Sequence, residues 1–174
     1  MFNRRKLMQL APALVAPGLA ARAWAQGALA PLPGVGSTLK LPVLKLLDGR
    51  TWSPAGVRGK TLVVYWWASW CPFCAVQSPH IEALWQAHKA SGLEVLALSI
   101  DRKPGAAQAY IKTKGYSFPA AILPEDTKFL HKPRGLPVVV VLKVNGRDGR
   151  SGKVVFAEAG EMFPDDVEGL KKFL

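Results

Sequence analysis

A run of β-branched and aromatic residues, Thr61 to Trp67, stands just ahead of a closely spaced cysteine pair, Cys71-Pro72-Phe73-Cys74. The run is apolar without alternation, the pattern of a strand covered on both faces. A strand of that kind belongs in the middle of a sheet with one layer above it and another below. That requirement limits the fold more than any other feature of the chain. Beyond Pro72, the residues Ile81, Leu84, Trp85 and His88 recur at helical spacing, which predicts a helix to about Lys89 with Pro79 kinking it from inside. The two cysteines therefore sit where a buried strand hands over to a helix.

The remaining segments alternate in the same way. Leu39 to Leu47 followed by Asp48-Gly49 reads as a strand entering a hairpin turn. Leu93 to Ile100 is a second buried strand, Pro104 to Lys114 a second helix and Phe118 to Leu123 a short strand. Pro137 to Val144 is a β-branched strand, and Asp148-Gly149 is a turn into Lys153 to Ala157. A closing helix, Pro164 to Leu174, is expected to bury Val167, Leu170 and Leu174. This order gives an α/β chain with a mixed sheet. With 174 residues, 49% of them apolar, the chain has enough for one core plus a short extra segment.

The extra segment is at the front. Met1 to Lys6 is positively charged, and Leu7 to Ala21 is apolar but broken by Gln9, Pro12, Pro17 and Gly18. Ala23-Trp24-Ala25 then offers small residues at the positions a signal peptidase reads. Asn3-Arg4-Arg5-Lys6-Leu7-Met8 is similar to a twin-arginine export signal. The expected organisation is an export signal over residues 1–25, a linker over 26–38 and one domain over 39–174, located in the periplasm. The alternative is an uncleaved N-terminal anchor. The apolar stretch is too short and too broken to cross a bilayer core of roughly 30 Å as a helix. No transmembrane segment is expected in the mature chain.

The formal charge is +11, from 23 basic and 12 acidic residues. Arg4, Arg5, Lys6 and Arg22 belong to the leader, which leaves 19 basic residues against 12 acidic ones, or +7. The remaining cations are scattered, with Lys112/Lys114 and Lys171-Lys172 the densest groups, and no basic run is interleaved with aromatics. Nucleic-acid binding is not expected from that pattern.

The cysteine pair carries the chemistry. A bridge between residues three apart closes too small a loop to stabilise the fold much, so the pair points to reactivity. At a helix N-terminus Cys71 faces unpaired backbone N–H groups and the positive end of the helix dipole. Both favour thiolate, so its pKa is expected below the free value of about 8.5. Cys74 lies one turn further in. Cys71 is thus the expected nucleophile and Cys74 the resolving thiol, with Pro72 tolerated early in the helix. Haem attachment would need a histidine after Cys74, where Ala75 stands. A structural zinc site needs four ligands, and His80, His88 and His131 form no second cluster. Dithiol–disulfide exchange with protein substrates needs no cofactor.

These stretches resemble the TlpA/ResA-like branch of the thioredoxin superfamily. The matching residues are Leu62 to Cys74, Pro79, Leu96 to Asp101, Phe118-Pro119 and Gly135-Leu136-Pro137, within a resemblance that covers roughly residues 38–174. It implies a thioredoxin-like fold: a central mixed sheet flanked by helices on both faces, with an N-terminal hairpin and a central αβ insertion. It also implies that Pro137 is a cis-proline facing the disulfide. Trp70, Pro72, Phe73 and Leu136 would line the substrate groove, whereas Trp66, Trp67 and Trp85 are packing residues. The implied role is that of a reductant in cytochrome c maturation or a related assembly pathway, recharged by a membrane thiol transporter.

Two positions depart from the family pattern. Gln77 stands where the branch often has glutamate, and Tyr65 where thioredoxins bury an aspartate. Neither is a carboxylate base near neutral pH. Gln77 reads as a polar lid near Cys74 or a solvated side chain, Tyr65 as core, and His80 as a possible influence on Cys71. Two other functions stay open. Cys71, Cys74 and His131 could bind Cu(I) in a copper metallochaperone. A peroxiredoxin-like peroxidase is the second, although Ala68 stands where that family has threonine three residues before its nucleophile.

Overall fold

The central strand of the chain runs from Thr61 to Trp67, and every one of its seven residues is buried. The computed structural model describes residues 32–125, 130, 132–145 and 149–174. The expected export signal, linker residues 26–31, His131 and Asp148 lie outside the described residues.

Eight strands and three α-helices are described: β1 (Thr38–Lys40), β2 (Leu44–Lys45), β3 (Thr51–Trp52), β4 (Thr61–Trp67), α1 (Pro72–His88), β5 (Leu93–Ser99), α2 (Pro104–Lys114), β6 (Ala120–Ile122), β7 (Val138–Lys143), β8 (Ser151–Ala159) and α3 (Pro164–Glu168). Six strands form one sheet in the order β1-β8-β7-β4-β5-β6, and β2 and β3 form a separate hairpin. β4 pairs in parallel with β5 and antiparallel with β7, so the sheet is mixed. α2 and β6 are inserted between β5 and β7, and β6 extends the parallel side.

Because β4 is apolar at every position, its two faces feed two cores. Val63, Tyr65 and Trp67 join Ile81 and Leu84 of α1, Ala107 of α2 and Val167 and Leu170 of α3. Leu62, Val64 and Trp66 face the other way, into a cluster with Leu44, Leu46, Trp52 and Leu130. All three α-helices thus contribute to the first core. The second face is covered, among the described residues, by the hairpin and a single 3-10 turn, Pro54–Val57, whose Val57 enters that core.

Some boundaries shift for visible reasons. The segment expected as one strand from Leu39 to Leu47 breaks at Leu41-Pro42-Val43, since Pro42 offers no N–H to a ladder. The hairpin turn follows as expected. Gly49 has φ +86°, a conformation glycine adopts without strain, and Asp48 accepts from the Arg50 N–H at 2.9 Å. The linker gives way early: Gly36 donates to the Val154 carbonyl at 2.8 Å, and Thr38 already pairs with Lys153. At the C-terminus α3 tightens into a 3-10 helix over Gly169–Phe173. With three residues per turn, Phe173 follows Leu170 onto the packed face, and Leu174 is left 44% exposed instead of buried.

Glu82 ties α1 to the approach of β6. Its carboxylate accepts from the Ser117 N–H at 2.9 Å, the Phe118 N–H at 3.1 Å, the Ser117 hydroxyl at 2.5 Å and Gln86 Nε2 at 2.8 Å. Partial burial pushes this carboxyl up, but the hydrogen bonds from Ser117, Gln86 and the Phe118 backbone outweigh it and hold it below the usual 4.5. A depressed carboxyl stabilises the fold fully above its unfolded pKa and loses that contribution as pH falls through its folded value. Glu82→Gln is therefore expected to lower Tm near neutral pH and to flatten the decline of Tm below about pH 4.5. Thermal melts of both proteins across that range check it, and parallel Tm curves would refute the linkage.

Candidate active site

Three chain segments converge beyond the same end of β4. The parallel register pairs Trp67 with Ser99, so two residues further on Ser69 and Asp101 come level. The antiparallel register pairs Trp66 with Val138, which brings Pro137 level with Trp67. The cysteine loop leaves β4 between these two neighbours.

Asp101 holds that loop in place. It is buried, accepts from the Ser69 N–H at 2.9 Å and the Ser69 hydroxyl at 2.7 Å, and takes a third bond from the Ser99 hydroxyl at 2.6 Å. A second tie is the Ile100 N–H, which donates to the Trp67 carbonyl at 2.9 Å. Asp101 was not singled out from the sequence. The signal that could have found it is its place at the end of the strand beside the one leading to the cysteines.

Cys71 and Cys74 are joined in a disulfide with Cα atoms 5.2 Å apart. Cys71 is the N-cap of α1 in extended conformation, and its Sγ accepts from the Cys74 N–H at 3.2 Å. The sulfur stands where serine or aspartate would ordinarily cap a helix. Pro72 follows at the first helical position, where no N–H is needed. When the bond is reduced, that N–H and the helix N-terminus favour negative charge on Cys71 Sγ. Cys71 is 5% exposed and Cys74 only 1%.

The Leu136–Pro137 peptide bond is cis, and Pro137 is buried at the start of β7 with its carbonyl accepting from the Gly160 N–H at 2.8 Å. Cys71 opens on a cleft of about 470 Å³. Trp70, Pro72, Phe73 and Leu136, the four residues named for the groove, all line it. Trp70 is 65% exposed and Phe73 56%. The sequence reading did not place Ile100 and the stretch Lys132 to Gly135 there, although they complete the wall.

The three residues considered for tuning separate. Tyr65 is buried, with its hydroxyl 3.0 Å from Ser78 Oγ, and Ser78 in turn donates to the Cys74 carbonyl at 2.7 Å. Burial pushes the Tyr65 phenol well above its ordinary value against the Ser78 hydrogen bond, so it stays protonated. Gln77 is fully buried, which overturns its reading as a solvated side chain. Its Oε1 accepts from the Met162 N–H at 2.9 Å and so ties α1 to the segment ahead of α3, while Nε2 has no partner among the described residues. His80 lies about two and a half turns along α1 from Cys71, on the opposite side of the helix. The structure does not bring it to the sulfurs.

Asp101→Ala leaves the Ser69 N–H, the half-buried Ser69 hydroxyl and the buried Ser99 hydroxyl without their acceptor. A loss of about 2–3 kcal/mol is expected from urea unfolding, together with slower reduction of a disulfide substrate. Unfolding midpoints within error of the parent would show that the junction is not held this way.

Comparison with known proteins agrees with the geometry. A thiol-disulfide oxidoreductase ResA of Bacillus cereus is 28% identical over 123 residues, covering 71% of this chain and 68% of the relative. A thiol:disulfide interchange protein of the thioredoxin family from Chlorobium tepidum has the same fold, with TM-score 0.67 at 19% identity over 81% of this chain and 97% of its own. A second Chlorobium tepidum structure, a candidate thiol:disulfide interchange protein DsbE, gives TM-score 0.62 at 25% identity, covering 80% of this chain and 95% of its own. The AhpC/TSA family model matches residues 35–128, just over half of the sequence. With a thioredoxin-like fold around its paired cysteines, the chain belongs to the AhpC/TSA family.

Proposed function

We propose that this thiol–disulfide oxidoreductase works in the periplasm as a reductant of protein disulfides, in cytochrome c maturation or a related assembly pathway. The observation that carries the reading is the asymmetry of the pair. Cys71 opens on the cleft at the helix N-terminus, and Cys74 lies behind it, almost wholly covered. A thiolate at the cleft that attacks and a thiol behind it that resolves are what two-step exchange requires.

In the first step the Cys71 thiolate attacks one sulfur of the substrate disulfide, and the other substrate sulfur leaves as a thiolate. In the second, Cys74 as thiolate attacks Cys71 Sγ, and the second substrate sulfur departs. Two electrons pass to the substrate, and the Cys71–Cys74 disulfide remains. Pro137 has no N–H of its own, so the Leu136 backbone beside it is available to an extended substrate chain lying in the cleft. A membrane thiol transporter would return the pair to its reduced state. Residues 1–25, read as an export signal cleaved after Ala25, support the location.

The reduction potential of the pair, measured against glutathione, tests the direction of electron flow. A value near or below about −250 mV is expected. A value near about −120 to −150 mV would mark an oxidant and overturn the assignment. In cells, Cys74→Ser is expected to accumulate mixed disulfides through Cys71 that Cys71→Ser does not form. Their absence from the native compartment would count against exchange with protein substrates.

A further inference from the structure

The cleft at Cys71 has an apolar floor and a basic rim. Trp70, Pro72, Phe73 and Leu136 supply the floor, and Lys132 and Arg134 border it. A second cleft of about 490 Å³ continues past Trp70, shares Ile100 and Lys132 with the first, and is bordered by Arg102 and Lys103. Four exposed cations therefore follow one furrow that passes the mouth of Cys71. Among the described residues, two carboxylates lie near it. Asp101 accepts three bonds from Ser69 and Ser99, so it is engaged below the surface. Glu125 borders a third hollow at the far end, beside Arg102 and Lys132. No carboxylate forms an ion pair with Arg102, Lys103 or Lys132 among the described residues.

We propose that this furrow selects polypeptides whose reactive cysteine lies among aspartate or glutamate residues and is followed by an apolar residue. The inference rests on Cys71 being the attacking sulfur. The apolar residue lies between Trp70 and Leu136. Carboxylates beside the cysteine meet Lys132 and Arg134, and those further along the furrow meet Arg102 and Lys103. Like charges work against binding in the same place, so lysine-flanked substrates are rejected. The field of the four cations concentrates acidic chains at the cleft and speeds their encounter.

The test uses the reduced full-length protein and three pentapeptides, Asp-Asp-Cys-Leu-Asp, Ser-Ser-Cys-Leu-Ser and Lys-Lys-Cys-Leu-Lys. Each is presented as a mixed disulfide with thionitrobenzoate, whose release is followed by absorbance. Rates are divided by those with dithiothreitol, which removes differences in intrinsic reactivity. The acidic peptide is expected to react about tenfold faster than the neutral one, and the lysine peptide slower still. The spread should collapse at about 1 M salt, where the screening length falls to a few ångströms. Lys132→Glu with Arg134→Glu should invert the order. The ratio is read within each protein, so a general loss of activity does not imitate the inversion. Equal normalised rates for the acidic and neutral peptides would overturn the proposal, as would an order that survives charge reversal. If no peptide is reduced, the neutral one included, it is the exchange activity that fails.

Discussion

β4 lies between a parallel neighbour and an antiparallel one, and the two registers together decide what stands beside the cysteines. The parallel register with β5 brings Asp101 to Ser69. The antiparallel register with β7 brings the cis-proline level with the last residue of β4. Both registers are enforced by burial on two faces. A slip of one residue would turn Tyr65 and Trp67 into the second core and Trp66 into the first. Neither core could take the exchange, because Trp67 and Tyr65 are fully enclosed on the helical side. The cysteine loop therefore inherits its position from packing some distance away.

The reactive end combines a rigid frame with an open mouth. Ser69 is fixed by a buried carboxylate, and Cys71 is fixed as the cap of α1. Trp70, between them, is largely exposed and lines both clefts. Holding the sulfur and its flanking backbone in place means that little ordering remains for the moment a substrate chain enters. Exposed aromatic groups at that mouth, Trp70 and Phe73, are costly for an isolated protein and useful for one that meets other polypeptides there.

Much of this was legible in the sequence because it depends on local period and local chemistry. β4 coincides with its apolar run, and α2 spans Pro104–Lys114 as its first proline and the glycine after it indicate. That Trp70, Pro72, Phe73 and Leu136 lie together beside Cys71 was legible through the cysteine motif and the proline that follows Leu136. What escaped depends on pairings between segments remote in the chain. Asp101 is an ordinary acidic residue after a strand until the register with β4 gives it Ser69 as a partner. Gln77 looks solvated in sequence, since only the fold brings the Met162 N–H, eighty-five residues away, to its carbonyl. Leu174 fits an α-helical face but misses it once the last turn tightens to three residues.

The interior behind Cys74 bears on how the resolving thiol loses its proton. Tyr65 and Ser78 do not form a relay: their hydrogen bonds run toward the Cys74 carbonyl, and the phenol is held protonated by burial. Gln77 spends its acceptor on Met162, and an amide is no base near neutral pH. The polar groups around Cys74 thus hold α1 in shape instead of moving a proton. Among the described side chains none that bonds to Cys74 is a carboxylate. In the proposed exchange, the thiolate that leaves the substrate in the first step is the base available to take this proton. Resolution in the proposed cycle is then coupled to the substrate's own leaving group.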